Sequence, residues 1–235
     1  MNRRAIIAAG WAVALAAQCA SAQVALPASW SGPWKWGYPP VGWTFAGLGE
    51  DLLPDYDGLN DGAAKLDDTG DLISINYDSA PGALSYWIKG LTFISGGVFR
   101  VEQSIDGTNW MALATYTNPP VTATFQTHFP SLDARHIRFL YAERITGNVG
   151  IDGISIPKFM PPETTSFSLT GQVATVAVLA SIVGRTYWLE YADALTNVWS
   201  QVGAPMIGST NPMVFTSLAP TNARMRFYRV RDVTP

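Results

Sequence analysis

The residues with the clearest potential for chemistry are acidic and crowd into one segment. Nine carboxylates lie within the 29 positions from Glu50 to Asp78, which is half of the chain's 18 acidic residues. Within this segment, Asp55, Asp57 and Asp61 lie close together, with Gly58, Asn60 and Gly62 beside them. Oxygen ligands at such spacing favour Ca²⁺, although the spacing differs from that of an EF-hand. The same residue types also form solvated β-turns, so residues 50–71 predict either a calcium site or a polar turn.

A second group of residues with binding chemistry is aromatic. Six aromatic side chains fall within 16 positions: Trp30, Trp34, Trp36, Tyr38, Trp43 and Phe45. Exposed indole rings stack on the C–H faces of sugars, whereas buried ones cover a sheet edge or a seam between domains. Because most tryptophan surface is buried in folded proteins, we favour the packing role for this run, with Trp34 and Trp36 as candidate ligand-binding residues.

Two further tryptophans are candidates for a sugar-binding surface. Trp87 has the opposite parity to Leu84, Tyr86 and Ile88 in an alternating segment, which directs its ring away from the core. Trp110 follows a Gly-Thr-Asn loop. We expect both rings to face a ligand.

Catalytic motifs are absent from the sequence. The two histidines, His128 and His136, lie in separate segments, and no H-E-x-x-H, G-x-S-x-G or G-x-G-x-x-G motif occurs. A glycosidase needs only two carboxylates, so composition alone does not exclude one. The net charge of −3 excludes the strongly basic balance of a general nucleic-acid binder. We expect a non-catalytic protein.

The first 22 residues have the pattern of a secretory signal peptide. Arg3 and Arg4 precede an apolar stretch, and Ala20-Ser21-Ala22 matches a cleavage site. Cleavage there would remove Cys19, the single cysteine. No second apolar run of about 20 residues follows, so the sequence predicts a secreted or surface-attached protein without a membrane span.

Most patterned segments alternate with a period of two, which predicts an all-β fold. In residues 98–105, Phe99, Val101 and Ile105 share one predicted core face. The pairs Val149/Ile151 and Ile154/Ile156 have opposite parity, which predicts a β-bulge at Asp152-Gly153 that redirects the Asp152 side chain.

A proline-rich break divides the chain. Residues 158–165 predict a stiff linker between a domain at 23–157 and a small β domain at 166–235. Residues 23–163 carry 8 basic and 15 acidic side chains, and residues 164–235 carry 5 and 3. The second domain is near the lower size limit for independent folding, so we expect it to lean on the first.

Several motifs resemble known modules. Segments 42–45, 65–71, 84–90, 107–110 and 147–156 together are similar to the galactose-binding-like or lectin-like jelly-roll modules of secreted bacterial proteins. Segments 184–191 and 226–231 are similar to small fibronectin-like tail modules.

The resemblance implies a jelly-roll β-sandwich followed by a second small β-sandwich. It also implies a structural calcium between an early loop and an acid of the last strand, a position that Asp152 matches. The chain would then be a secreted pair of modules that binds a polysaccharide or another cell-surface ligand. The alternatives are an adhesive surface protein that binds only protein partners, and a secreted hydrolase.

Overall fold

The computed structural model describes residues 22–34, 39–49, 53–59, 61–93, 96–161, 163–194, 198–209, 211–218 and 226–233. Within these ranges the chain forms β-strands and no helix, which confirms the all-β prediction. The predicted signal peptide, apart from Ala22, lies outside the described residues.

The first part of the chain is a jelly-roll sandwich of two five-stranded antiparallel sheets. One sheet has the order β1-β10-β5-β8, with β3 also paired to β10: β1 (Ala28–Trp30), β3 (Ala64–Leu66), β5 (Leu84–Leu91), β8 (Thr124–His128) and β10 (Asn148–Ile156). The other has the order β2-β4-β9-β6-β7: β2 (Trp43–Ala46), β4 (Leu72–Asn76), β6 (Val98–Ser104), β7 (Met111–Tyr116) and β9 (His136–Glu143).

The core lies between these two sheets. The ring of Tyr86 from β5 packs edge-on against Phe139 from β9, with centroids 4.9 Å apart. The Tyr86 hydroxyl lies 2.9 Å from that of Tyr116, so the buried polar group has a partner. Alternate residues of β5, β9 and β10 are fully buried, and each such side chain contributes about 1.5–3 kcal/mol of hydrophobic stabilisation. The apolar residues that alternate in these sequences are therefore the ones that face the space between the sheets.

The second part of the chain is a smaller sandwich of two three-stranded sheets. One sheet has the order β11-β12-β15: β11 (Glu163–Thr170), β12 (Val173–Ala180) and β15 (Met213–Leu218). The other has the order β14-β13-β16: β13 (Thr186–Ala192), β14 (Ser200–Ile207) and β16 (Phe227–Asp232). A separate apolar cluster lies between them, around Val176, Tyr187, Leu189 and Phe215. Strand β11 begins inside the segment predicted as a linker, and the domain boundaries stay a prediction.

The predicted bulge is present in β10. The register between β10 and β5 shifts between Asp152 and Ser155, and Gly153 has a φ of +53°. As a result, Val149, Ile151, Ile154 and Ile156 are all buried. The extra residue is what allows both apolar pairs to face the same core.

Candidate functional site

The acidic loop lies across the outer face of β10. Leu53 and Ala63 exchange two backbone hydrogen bonds of 3.1 Å, which close the loop at its base. Gly150 of β10 permits the close approach, because a Cβ at this position would lie 2.5 Å from the Tyr56 hydroxyl. The absent side chain at Gly150 thus makes room for the Tyr56 ring on the sheet.

Four carboxylates meet where this loop reaches the bulge. Asp55, Asp57, Asp61 and Asp152 each place a side-chain oxygen within 4.8 Å of the others. These are the four residues that the sequence predicts as metal ligands. Within the described ranges, no other group of three or more His, Cys, Asp or Glu side chains converges in this way.

Backbone amides orient the cluster. Asp152 is fully buried, and its two oxygens accept hydrogen bonds from the amides of Tyr56 and Gly153, both 2.9 Å. Asp55 Oδ1 accepts from the amides of Asp57 and Gly58, at 3.0 and 2.8 Å. These bonds orient the Asp55 and Asp152 carboxylates without a cation.

The electrostatics of the cluster are unfavourable for four anions. Burial, together with the neighbouring Asp57 and Asp61 carboxylates, raises the pKa of Asp152 to about 6, despite the amide hydrogen bonds that lower it. Burial also raises the pKa of Asp57. Asp61 Oδ1 is a buried atom with no hydrogen-bond partner among the described residues. A cation among these oxygens would relieve the repulsion and satisfy that atom.

The geometry fits Ca²⁺. Calcium binds oxygens at about 2.3–2.6 Å, so two of its ligands lie at most roughly 5 Å apart. The 4.8 Å span of the four carboxylate oxygens meets this limit. Calcium takes six to eight oxygens, and four aspartates together with water or backbone carbonyls can supply that number.

Trp87 lies beside the carboxylate cluster on the same outer face. Its ring packs edge-on against Phe125 of β8, with centroids 5.5 Å apart, and Phe125 is half exposed. A Cβ at Gly153 would lie 3.2 Å from the Trp87 ring and 3.1 Å from the Asp57 carboxylate. The structure therefore brings Trp87 next to the predicted metal ligands, and its ring is partly exposed, as the parity predicts.

Trp110 occupies a different surface, at the edge of the second five-stranded sheet. It lines a pocket of about 320 Å³ with the exposed side chains of Ile105 and Met111, and with Asp106 and Asn109. Trp87, by contrast, belongs to β5 of the other sheet. The two predicted ligand-binding rings therefore mark two separate surfaces of the sandwich.

The loop before Trp110 is held by Asp106. Its Oδ1 accepts hydrogen bonds from the amides of Thr108 and Asn109, both 2.8 Å, and its Oδ2 accepts one from the Asn109 side chain at 2.7 Å. These hydrogen bonds hold the pKa of Asp106 well below its usual range. The carboxylate is thus ionised at neutral pH and fixes the turn that presents Trp110.

Sequence reasoning missed the residues that orient the Trp110 ring. The Arg138 guanidinium lies 4.1 Å from the centroid of that ring, and Arg138 forms an ion pair with the buried Glu102. His136 packs edge-on against the same indole, with centroids 6.3 Å apart. Strand parity indicates that such residues face outward, but only the register of β6 against β9 places Glu102 opposite Arg138.

The aromatic run at residues 30–45 contributes to the core. Trp34, predicted as a ligand-binding residue, is only 2% exposed and packs against Phe45, with centroids 5.5 Å apart. For Trp34 the packing role that the sequence favours is the one observed, and the ligand-binding role is wrong, because its ring is buried in the core. Trp36, the other candidate from this run, lies outside the described residues.

No known protein family's sequence profile matches the chain, and no curated protein matches it. Among solved structures, a cleaved adhesin domain of Lys-gingipain from Porphyromonas gingivalis is similar at 13% identity and a TM-score of 0.42, covering 57% of this chain and 99% of that one. The CBM22 tandem domain of Paenibacillus barcinonensis Xyn10C has 10% identity and a TM-score of 0.39, covering 92% and 86%. A mutant of a family 29 carbohydrate-binding module has 16% identity and a TM-score of 0.37, covering 52% and 80%.

None of the helices that a membrane span would require occurs in the described part of the chain.

Proposed function

We propose that this chain is a secreted, non-catalytic carbohydrate-binding protein whose Trp110 pocket receives a sugar ring. The observation that carries the proposal is the Trp110 ring itself, which lines an open apolar pocket while Arg138 holds it in place from 4.1 Å. Aromatic rings fixed in this way bind the C–H faces of sugars.

The composition of the pocket fits a small polar ligand with an apolar face. Its volume of about 320 Å³ lies at the low end of the range of about 300–1,000 Å³ typical of ligand pockets. Ile105 and Met111 supply apolar rim surface, and Asn109 and Gln103 supply polar atoms. An aromatic platform with a few polar groups at its edge is suited to one or two sugar units.

The carboxylates support a binding role over a hydrolytic one. The two acids of a retaining glycosidase lie about 5–5.5 Å apart, and those of an inverting one about 6.5–9.5 Å apart, on opposite sides of the bond they cleave. Here four acids converge on one point, within 4.8 Å. We propose that they hold a structural Ca²⁺ that ties the acidic loop to β10.

Binding to a glycan array, followed by calorimetry with the best glycan, tests the proposed function. Trp110→Ala should lower the affinity about tenfold or more, because the stacking surface is removed. Met111→Ala is the matched control on the rim, and we expect a smaller loss. Trp87→Ala reports separately on the surface beside the acidic loop.

Two results would redirect the assignment. Absence of binding to every glycan, together with capture of a protein partner, would favour the adhesive alternative. Turnover of a glycoside that single Asp→Asn changes abolish would favour a hydrolase.

A further inference from the structure

The outer face of the sheet β14-β13-β16 carries a second set of residues arranged for binding. Strand β16 pairs with β13 so that Arg229 lies opposite Glu190 and Arg231 lies opposite Trp188. Directly opposed residues of antiparallel strands point to the same face. With Trp199, which precedes β14, these five side chains form what we call the Arg–Trp face.

One buried carboxylate organises this face. The side chain of Glu190 is only 3% exposed, and its oxygens lie 2.7 Å from Arg229 Nε and 3.5 Å from Arg231 Nη1. A buried carboxylate needs such partners, because an unpaired charge would be strongly destabilising. Part of the role of the two arginines is therefore structural.

The ion pairs with Glu190 leave this face with a net positive charge. One carboxylate neutralises one guanidinium, whereas this face holds two, whose side chains are 45% and 61% exposed. The hydrogen bond of Arg229 to Glu190 uses Nε, so that bond does not occupy either of its Nη groups. A paired, exposed guanidinium edge is the donor arrangement that binds carboxylate and sulfate groups.

Aromatic surface lies beside the charge. The Arg229 guanidinium stacks on Trp199 at 4.2 Å from the ring centroid, which limits its motion and fixes its orientation. Trp188 and Trp199 are both partly exposed. The face thus combines one guanidinium held against an indole, and a second that is more exposed, with the apolar ring surface that sugar C–H groups contact.

We infer that the Arg–Trp face binds the anionic groups of an acidic polysaccharide, as a second site independent of the Trp110 pocket. Two arginines are too few for a nucleic-acid interface, whose affinity comes from many phosphate contacts. They are also fewer than the clusters of four to eight basic residues that bind anionic membranes. The stacking of Arg229 on Trp199, with Trp188 opposite Arg231 in the strand register, favours a charged sugar over either alternative.

Binding of the whole chain to three polymers tests this inference. Polygalacturonate supplies carboxylates, dextran sulfate supplies sulfates, and unmodified dextran supplies neither. We expect binding to one or both charged polymers, with Arg231→Gln lowering the affinity roughly tenfold. The double change Arg229→Gln with Arg231→Gln should abolish measurable binding.

Arg144→Gln is the matched control, since it removes one exposed positive charge from the first sandwich. Its affinity for the charged polymers should stay near that of the unmodified chain. Trp110→Ala should also leave this binding intact, so failure of the Trp110 pocket and failure of the Arg–Trp face are distinguishable. Because Glu190 loses a partner in the arginine variants, their melting temperatures are measured alongside their affinities. Arg231→Lys is a further variant, which keeps the positive charge and loses the guanidinium.

Three results would overturn the inference. One is an equal loss of affinity in Arg144→Gln, which would indicate general charge attraction. Another is equal affinity for unmodified dextran. The third is tighter binding to duplex DNA or to anionic phospholipid vesicles than to either charged polymer.

Discussion

His128 is a half-buried histidine whose ring packs on the core. The ring stacks on Tyr86, with centroids 5.7 Å apart, and its Nε2 is buried with no hydrogen-bond partner among the described residues. Burial lowers the pKa of His128, because the charged ring would lose its hydration. The residue therefore belongs to the packing of β8 against the core, and its titration affects stability.

The sign of that effect follows from proton binding. An unfolded histidine titrates near pH 6.5, and the folded one titrates lower, so the unfolded chain binds more protons between these values. Stability is therefore full above about pH 6.5 and falls as the pH drops toward the folded pKa. His128→Gln should flatten the dependence of the urea midpoint on pH in this window.

The test compares the pH dependence of the urea midpoint in His128→Gln with that in the unmodified chain, both measured with calcium in excess. Asp152 has a raised pKa and would act in the opposite direction in the cation-free protein, so calcium removes this contribution. Parallel pH profiles for the two proteins would contradict the assignment to His128.

The carboxylates of the site were more predictable from sequence than its aromatic rings. Asp55, Asp57 and Asp61 lie close in the chain, and the bulge that redirects Asp152 leaves a parity signal, so their convergence follows from local pattern. Trp34 carries no such signal, since its burial depends on tertiary packing against the core, including Phe45 of β2. Hydrophobic and binding roles of an indole look the same in one sequence.

The bulge in β10 is the element that joins the acidic loop to the sheet. Gly153 adopts a φ of +53°, in the left-handed region where a side chain costs about 1–2 kcal/mol. A Cβ at this position would also crowd Asp57 and the Trp87 ring. Both the backbone and the space at this position require glycine.

Gly153→Ala should lower the free energy of unfolding by about 1–3 kcal/mol, from backbone strain and crowding together. It should also reduce the stabilisation that Ca²⁺ provides, because Asp57 must move. Gly70→Ala is the matched control: Gly70 has a φ of +98°, and a Cβ added there would meet nothing within 4 Å. Urea denaturation with calcium and with chelator measures both effects, and an unchanged calcium response in Gly153→Ala would contradict the proposed link.

Calcium itself gives a second prediction about the acidic loop and the bulge. A ligand that binds only the folded state raises its stability by mass action, so a chelator should lower the melting temperature and added Ca²⁺ should restore it. Asp152→Asn should remove this response, while Asp133→Asn, at an exposed acid outside the cluster, should keep it. Identical melting curves with and without chelator would refute the calcium proposal.

Strand β6 shows what a period-two pattern misses. Phe99 and Val101 are buried as predicted, but Ile105, placed on the same face by parity, is 65% exposed. The strand ends at Ser104, and a register shift against β7 lies between Val101 and Glu102. Buried and exposed residues alternate only while a strand continues. Strand β6 ends where the loop that Asp106 stabilises begins.

The two sandwiches of the chain share one buried arginine. Arg185 comes from the segment before β13 and is 1% exposed. It donates hydrogen bonds to the carbonyls of Pro81 and Pro130 in the first sandwich, at 3.3 and 3.2 Å. It also forms an ion pair of 3.2 Å with Asp232 of β16.

Aromatic rings complete the enclosure of this charge. The Arg185 guanidinium lies 5.4 Å from the ring centroids of both Phe129 and Phe159. The contact fits the sequence-based expectation that the small second domain leans on the first. The sequence could not identify Arg185 as the contact, because its partners are separated from it by 104 and 55 positions.

Removal of this arginine is a test of whether the two sandwiches unfold together. Arg185→Met leaves the buried Asp232 without this ion-pair partner and the two proline carbonyls without these donors, a change that typically costs about 3–5 kcal/mol. The second sandwich has the smaller core, so we expect it to unfold first in the variant, and calorimetry should resolve two transitions where the unmodified chain gives one. Arg226→Met is the control within the second sandwich, because its partner Asp193 is 59% exposed, so the carboxylate left behind stays hydrated and we expect a smaller loss. A single transition at an unchanged temperature in Arg185→Met would mean that the apolar contacts alone hold the sandwiches together.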